Sequence, residues 1–266
     1  MYKAIFIDLD GTLLRKDHTV GELTKSAIRR VMSKGVPVIL VSARPLDAII
    51  PVGRMVGTMD YPIASLNGGY IVSGEKILFK SNIDLPTTAA ITQEIKSITP
   101  TIIYYVDRVW FSESNNKWVE HEQKILDVQI SIQPFKEIAA YLTEHQTGPN
   151  KILIMNEPTP IQAAEQLAKS LYPALNIYTS QPTNLEVMNT DASKSRAVQL
   201  LIKEFGMDRS EIIAIGDNYN DKEMIAFAGK GIAMGNAPQE VKDAADYITD
   251  TNNADGVGKA LNHFFG

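Results

Sequence analysis

The chain of 266 residues contains no cysteine. Disulfides, thiolate nucleophiles and cysteine-ligated zinc are thereby excluded. Only four histidines occur, none in an HExxH-type spacing, which argues against a zinc hydrolase. Basic residues are not in excess: 26 Lys and Arg stand against 31 Asp and Glu, for a net charge of −5. A general nucleic-acid binder would carry the opposite balance. No apolar run approaches the roughly 20 residues needed to span a bilayer. The apolar stretch at the amino terminus is broken by Asp8 and Asp10, unlike a secretory signal. Internal repeats and low-complexity segments are also missing. The expectation is a cytoplasmic protein with no nucleic-acid or membrane partner.

What the chain does contain begins at Ala4-Ile5-Phe6-Ile7-Asp8-Leu9-Asp10-Gly11-Thr12. A β-branched apolar run ends in two acids one residue apart. Side chains on a strand alternate faces, so Asp8 and Asp10 are expected to project to the same side as the strand ends. Neighbouring carboxylates repel and are costly to desolvate, so they suit a hard cation between them or a shared proton. Gly11 permits a sharp turn and close backbone approach to a ligand. A bare Asp-x-Asp is more often a solvated loop. Here a magnesium and phosphate site is favoured by the strand end and by matching pieces downstream.

Apolar periodicity predicts strands over residues 2–8, 36–41 and 62–66, with helices over 23–33 and from Pro45 to about Val56. The same alternation returns late. Helices are predicted over 193–205 and 221–228, strands over 212–215, 231–234 and 247–249, and a further helix opens at Pro238. Alternating strands and helices imply an α/β fold with a Rossmann-like parallel sheet. Between these halves the pattern changes. Strand-like runs at 75–80, 101–111 and 177–188 carry hairpin interruptions, and helical stretches cover 88–98, 136–144 and 161–171. The expectation is an inserted α+β domain over residues 83–187, with residues 1–82 and 188–266 forming the core.

Four pieces fall at strand ends or helix starts, where open parallel sheets bind ligands. Asp8 and Asp10 end the first strand. Ser42-Ala43-Arg44 follows the second, offering a hydroxyl and backbone N–H groups to a phosphate oxygen. Lys194 stands in the first turn of a helix, where the dipole disfavours a cation that lacks an anionic partner. Gly216-Asp217-Asn218-Tyr219-Asn220-Asp221 ends a late strand. Each has a plain alternative: Ser42 as a helix cap, Lys194 as a solvated lysine, Asp217 and Asn220 as turn residues, Asp221 as a cap. Their occurrence in this order on successive strand–helix junctions favours one shared site.

Asp8-Leu9-Asp10-Gly11-Thr12, Ser42, Lys194 and Gly216-Asp217-x-x-Asn220-Asp221 together resemble the four motifs of the haloacid dehalogenase superfamily. Leu66-Asn67-Gly68-Gly69, Leu185-Glu186-Val187-Met188 and Met234-Gly235-Asn236-Ala237-Pro238 resemble its Cof-type sugar-phosphatase branch, which carries a large α+β cap. The likeness spans essentially the whole chain. Ala43, and Ser195 after Lys194, stand where glycine is usual.

The resemblance implies a magnesium-dependent phosphatase acting on small phosphorylated metabolites such as sugar phosphates. It implies Asp8 as nucleophile, forming an aspartyl-phosphate, and Asp10 as general acid and then base. Mg²⁺ would be held by Asp8, the backbone carbonyl of Asp10 and Asp217, with Asp221 completing the acidic set and orienting it. Phosphate oxygens would be held by Ser42, Lys194, Asn220 and the N–H groups of Leu9 and Ala43. The cap would act as a lid that selects the leaving group, and the assembly would be a monomer or weak homo-oligomer. A phosphomutase or phosphotransferase of the same fold, or a non-catalytic phosphometabolite-binding regulator, are the alternatives. Arg44 is left without a role.

Overall fold

A computed structural model describes residues 2–266. The chain divides into two compact units, residues 1–78 with 193–266, and residues 79–192. The second unit extends beyond the expected 83–187 at both ends. At its carboxyl end a strand of its sheet runs on to Asn189 and the chain turns back only after Ala192.

The first unit opens with β1 (Ala4–Ile7), α1 (Glu22–Ser33), β2 (Val38–Val41), α2 (Leu46–Val56), β3 (Ile63–Ser65), β4 (Tyr70–Ser73) and β5 (Lys76–Lys80), whose last two residues already belong to the second unit. Ile5, Phe6 and Ile7 are fully buried, as a strand covered on both faces requires. Each such side chain contributes about 1.5–3 kcal/mol by leaving water. In α1, Thr24, Ala27, Ile28 and Val31 are buried at helical spacing. Pro45 is the N-cap of α2, and Gly57 closes that helix in the left-handed conformation.

The inserted unit follows with α3 (Leu85–Lys96), β6 (Ile102–Val106), β7 (Val109–Ser112), α4 (Lys117–Leu126), β8 (Ser131–Ile132), α5 (Phe135–Glu144), β9 (Lys151–Met155), α6 (Pro158–Leu171), β10 (Leu175–Gln181) and β11 (Asn184–Asn189). Its sheet runs β10-β11-β9-β6-β7-β8, antiparallel except where β7 meets β8. Ile91 and Ile95 of α3, Ile138 and Leu142 of α5, and Ile161 and Ala164 of α6 pack with alternate strand residues in one core. The expected hairpins are present, with Asp107 in the left-handed conformation between β6 and β7. β9 and α4 escaped the sequence reading.

The chain then completes the first unit with α7 (Lys194–Glu204), β12 (Ile212–Gly216), α8 (Lys222–Phe227), β13 (Lys230–Ala233), α9 (Gln239–Lys242), β14 (Tyr247–Ile248) and α10 (Gly256–Phe265). The sheet order is β14-β13-β12-β1-β2-β3-β4-β5. β1 lies between β12 and β2 and is parallel to both, and the β3–β4 pair alone among the registered neighbours is antiparallel. The α/β core is therefore as expected. From β1 the chain proceeds to β2 on one side and reaches β12 on the other. That makes the carboxyl end of β1 a topological switch point, the place where such sheets bind ligands. Among the described residues no helix is long and apolar enough to cross a membrane.

Candidate active site

Two strand ends meet at that switch point. β1 delivers Asp8, β12 delivers Asp217, and the turn that follows delivers Asp221. Each offers a carboxylate oxygen within 4.8 Å of the others, a grouping that could hold a metal ion. Lys194, the first residue of α7, reaches into the same group. Its Nζ donates to Asp8 Oδ1 and to Asp221 Oδ1, each at 2.6 Å, and all three side chains are buried. Ser193 caps the helix by accepting from the Arg196 N–H. The lysine at the positive end of the helix dipole thus has anionic partners, two of them.

Asp217 and Asp221 are fixed differently. Asp217 Oδ1 accepts from the Thr12 hydroxyl at 2.8 Å, and Oδ2 accepts from the Asn236 amide at 3.1 Å. Asp221 Oδ2 accepts from the N–H groups of Asp217 and Asn218, both at 3.0 Å, while Oδ1 serves Lys194. Both oxygens of Asp221 are thus engaged, one in holding the turn after β12 and the other in holding Lys194, which suits an orienting group. Two glycines make this approach possible. Gly11 has φ +79°, and a Cβ there would collide with the Asp217 carboxylate; a Cβ on Gly216 would meet Asp221.

The electrostatics are unfavourable without a further cation. Three carboxylates face one ammonium. Burial pushes the Asp8 carboxyl well up, and Asp221 adds to this, outweighing the help of Lys194. Burial also raises Asp217 to about 6, against the hydrogen bond from Thr12 and with repulsion from Asp221. For Lys194, burial opposes its charge, but Asp221 and Asp8 outweigh that and push it up. A divalent cation among these acids would relieve the repulsion, and all-oxygen donors suit Mg²⁺. The residues present fit that ion.

A pH-dependent cost follows. Asp217 binds protons more tightly folded than unfolded, so its contribution to stability falls as pH rises from about 4 to about 6 and stays low above. In chelated protein, the melting temperature of Asp217→Asn relative to wild type is expected to climb between pH 4 and pH 7. An unchanged difference across that range would show that the carboxylate is not strained.

Asp10 is not where alternation would put it. β1 ends at Ile7, and the backbone then turns, with Thr12 N–H bonded to Leu9 O and Leu14 N–H to the same oxygen. The Asp10 side chain is half exposed and lies outside the acidic group. Its oxygens accept from Arg44 Nε at 2.7 Å and Arg44 Nη2 at 2.6 Å. The expectation of two carboxylates side by side is corrected accordingly: alternation applies only while the strand lasts.

Ser42 is buried after β2, and its oxygen accepts from the Arg44 N–H at 3.1 Å. It is not the cap of α2, a position held by Pro45. Asn220 donates from Nδ2 to Asn67 Oδ1 at 3.0 Å. Asn67 itself sits at φ 52° in the turn after β3. Thr12 and Asn236 were thus missed as partners of Asp217, and Asn67 as the partner of Asn220. All three lie inside stretches the sequence marked, but their roles depend on partners far along the chain.

A family model of haloacid dehalogenase-like hydrolases matches residues 5–261. A Haemophilus influenzae protein with a provisional phosphatase name is 35% identical over 274 residues, covering 100% of this chain and 99% of that protein. The 5-amino-6-(5-phospho-D-ribitylamino)uracil phosphatase of Bacillus subtilis is 30% identical, covering 98% of this chain and 95% of its own length. Among solved structures, a haloacid dehalogenase-like hydrolase from Bacteroides thetaiotaomicron superposes with a TM-score of 0.90 at 30% identity, over 100% of both chains. A sugar phosphatase of subclass IIB of the superfamily gives 0.81 at 25% identity, over 98% of both. The motif order, the convergence of its acids on one switch point and these whole-chain matches lead to one assignment: the chain belongs to the haloacid dehalogenase-like hydrolases, and is a phosphatase of their Cof-type branch.

Proposed function

We propose that the chain hydrolyses phosphate monoesters of small metabolites, sugar phosphates or similar, through an aspartyl-phosphate on Asp8 and with Mg²⁺ as cofactor. The observation that carries this reading is the group of buried Asp8, buried Asp221 and half-buried Asp217, with one lysine bound to the first two. Asp8, the backbone carbonyl of Asp10 and Asp217 would hold the ion, with Asp221 orienting them. When bound, the ion neutralises charge between the attacking carboxylate and the phosphate dianion.

In the first step an Asp8 oxygen forms a bond to phosphorus as the ester P–O bond breaks, and Asp10 gives its proton to the leaving oxygen. In the second step Asp10, now a carboxylate, takes a proton from water. The water oxygen bonds to phosphorus, the Asp8–phosphorus bond breaks, and Asp8 and Asp10 return to their starting forms. Ser42, Lys194, Asn220 and the N–H groups of Leu9 and Ala43 hold the phosphate oxygens, where charge concentrates. The Ser42 oxygen already accepts from the Arg44 N–H, so its own proton is available to donate. Residues 79–192 are proposed to choose the leaving group, because none of the four motif pieces lies in them.

Phosphate release from p-nitrophenyl phosphate and from a panel of sugar and nucleotide phosphates is the test. Release is expected with Mg²⁺ and lost on chelation, returning when Mg²⁺ is restored. Full turnover after exhaustive chelation would remove the metal from this reading. Acyl-phosphate chemistry at Asp8, trapped with hydroxylamine during turnover, tests the intermediate.

A further inference from the structure

The Arg44 side chain makes contacts that the reaction scheme above does not use. Its guanidinium grips Asp10 at two points, Nε to Oδ2 and Nη2 to Oδ1. Two parallel N–H···O bonds fix a carboxylate in orientation as well as position. Nη2 also donates toward His18 Nδ1 at 3.3 Å, which adds a third point to the guanidinium plane. The Arg44 side chain is only 18% exposed, against 51% for Asp10.

The backbone of Arg44 is equally restrained. Its N–H donates to Ser42 Oγ at 3.1 Å, and its carbonyl accepts from the Leu66 N–H at 2.9 Å. The Asn67 N–H in turn donates to the Ser42 carbonyl at 2.9 Å. Arg44 is therefore anchored to the turn after β2 and to the turn after β3. From there it reaches across to the loop after β1, where Asp10 has no strand to hold it.

We propose that Arg44 is a positioning residue for phosphoryl transfer: its guanidinium sets the place of the Asp10 carboxylate, and its backbone registers that carboxylate against the Ser42 hydroxyl. The role rests on the reading of Asp10 as acid and base. A carboxylate presents about four lone-pair sites, and two donors leave the others free. Asp10 can thus exchange a proton with the ester oxygen or with water while remaining tethered. A half-exposed aspartate on a turn would otherwise sample several rotamers, and misplacement of a catalytic group by about 1 Å can cost about 100-fold in rate. Lysine cannot replace the two-point grip, because its ammonium is a single point charge.

The test is a double-mutant cycle of Arg44→Ala and Asp10→Asn, with Arg44→Lys beside it. kcat and KM are read on phenyl phosphate, a poor leaving group, and p-nitrophenyl phosphate, a good one. Melting temperatures with Mg²⁺ verify folding. Arg44→Ala is expected to lower kcat on phenyl phosphate by about 10- to 100-fold and on p-nitrophenyl phosphate by clearly less, with KM changed little. In the Asp10→Asn background the same substitution should cost about twofold or less, since the group it positions is already gone. Arg44→Lys should remain as slow as Arg44→Ala.

Three results would overturn the proposal: an Arg44→Ala rate equal to or above wild type, a full loss that persists in the Asp10→Asn background, or rescue by lysine. Failure of the acid reading looks different. Asp10→Asn itself would then show no dependence on leaving group, and the coupling between the two residues would still judge Arg44.

Discussion

Asp8→Asn is expected to abolish phosphate release, by at least about 10³-fold in kcat, while the protein remains folded. The amide keeps the shape of the side chain and removes the attacking oxygen's charge. Its effect on stability separates this site from an ordinary ion pair. Breaking a buried pair usually leaves the partner charge stranded, at about 3–5 kcal/mol. Here Lys194 keeps Asp221 at 2.6 Å after Asp8 is neutralised. The Asp8 carboxylate is itself held unwillingly, with burial and Asp221 both raising its pKa. Metal-free Asp8→Asn should therefore melt at or above the wild-type temperature, and the gain in melting temperature on adding Mg²⁺ should shrink. Thermal scans with and without Mg²⁺ check this. Near wild-type turnover in Asp8→Asn would refute the covalent mechanism.

Lys194→Ala should harm both activity and stability. A helix-start lysine read from sequence alone suggests a mainly catalytic loss. The structure revises that, because the ammonium is buried and is the cation that Asp8 and Asp221 share. Its removal leaves three carboxylates together without compensation, for a cost on the order of 3–5 kcal/mol at neutral pH without metal. The loss should lessen toward pH 4 as Asp8 and Asp217, whose pKa values are already raised, take up protons. Mg²⁺ should restore part of the stability but little of the rate, since it does not replace the donor to the phosphate. Denaturant titrations at pH 5 and pH 7.5, with and without Mg²⁺, measure this. A variant as stable as wild type at both pH values would return Lys194 to the solvated surface.

The residues of the acidic group were legible in the sequence because each sits at the end of an apolar run or the start of an amphipathic helix. Local physics is strong there: buried parallel strands read as continuous Val, Ile and Ala runs, and helices stop at Gly57 or start after Pro45. The α/β class, the strand–helix alternation and the membership of Asp8, Asp217, Asp221 and Lys194 in one site follow from that. β9 and α10 were missed despite their burial, since short apolar runs do not reveal whether they are strand, helix or loop.

Pairings made at long range were decided by tertiary structure alone. Thr12 and Asn236 share Asp217, Asn220 reaches Asn67, and Arg44 takes Asp10 away from the other acids. Sequence spacing carries no information on which polar side chain meets which, because the meeting depends on strand order and on where each strand ends. β1 stops at Ile7, one residue before the first acid. By itself the sequence determined which charged groups stand at the strand ends and helix starts of this protein. The order of its sheet, with β1 between β2 and β12, decided which carboxylates face the lysine and which one faces the arginine, because only that order brings those strand ends to one point.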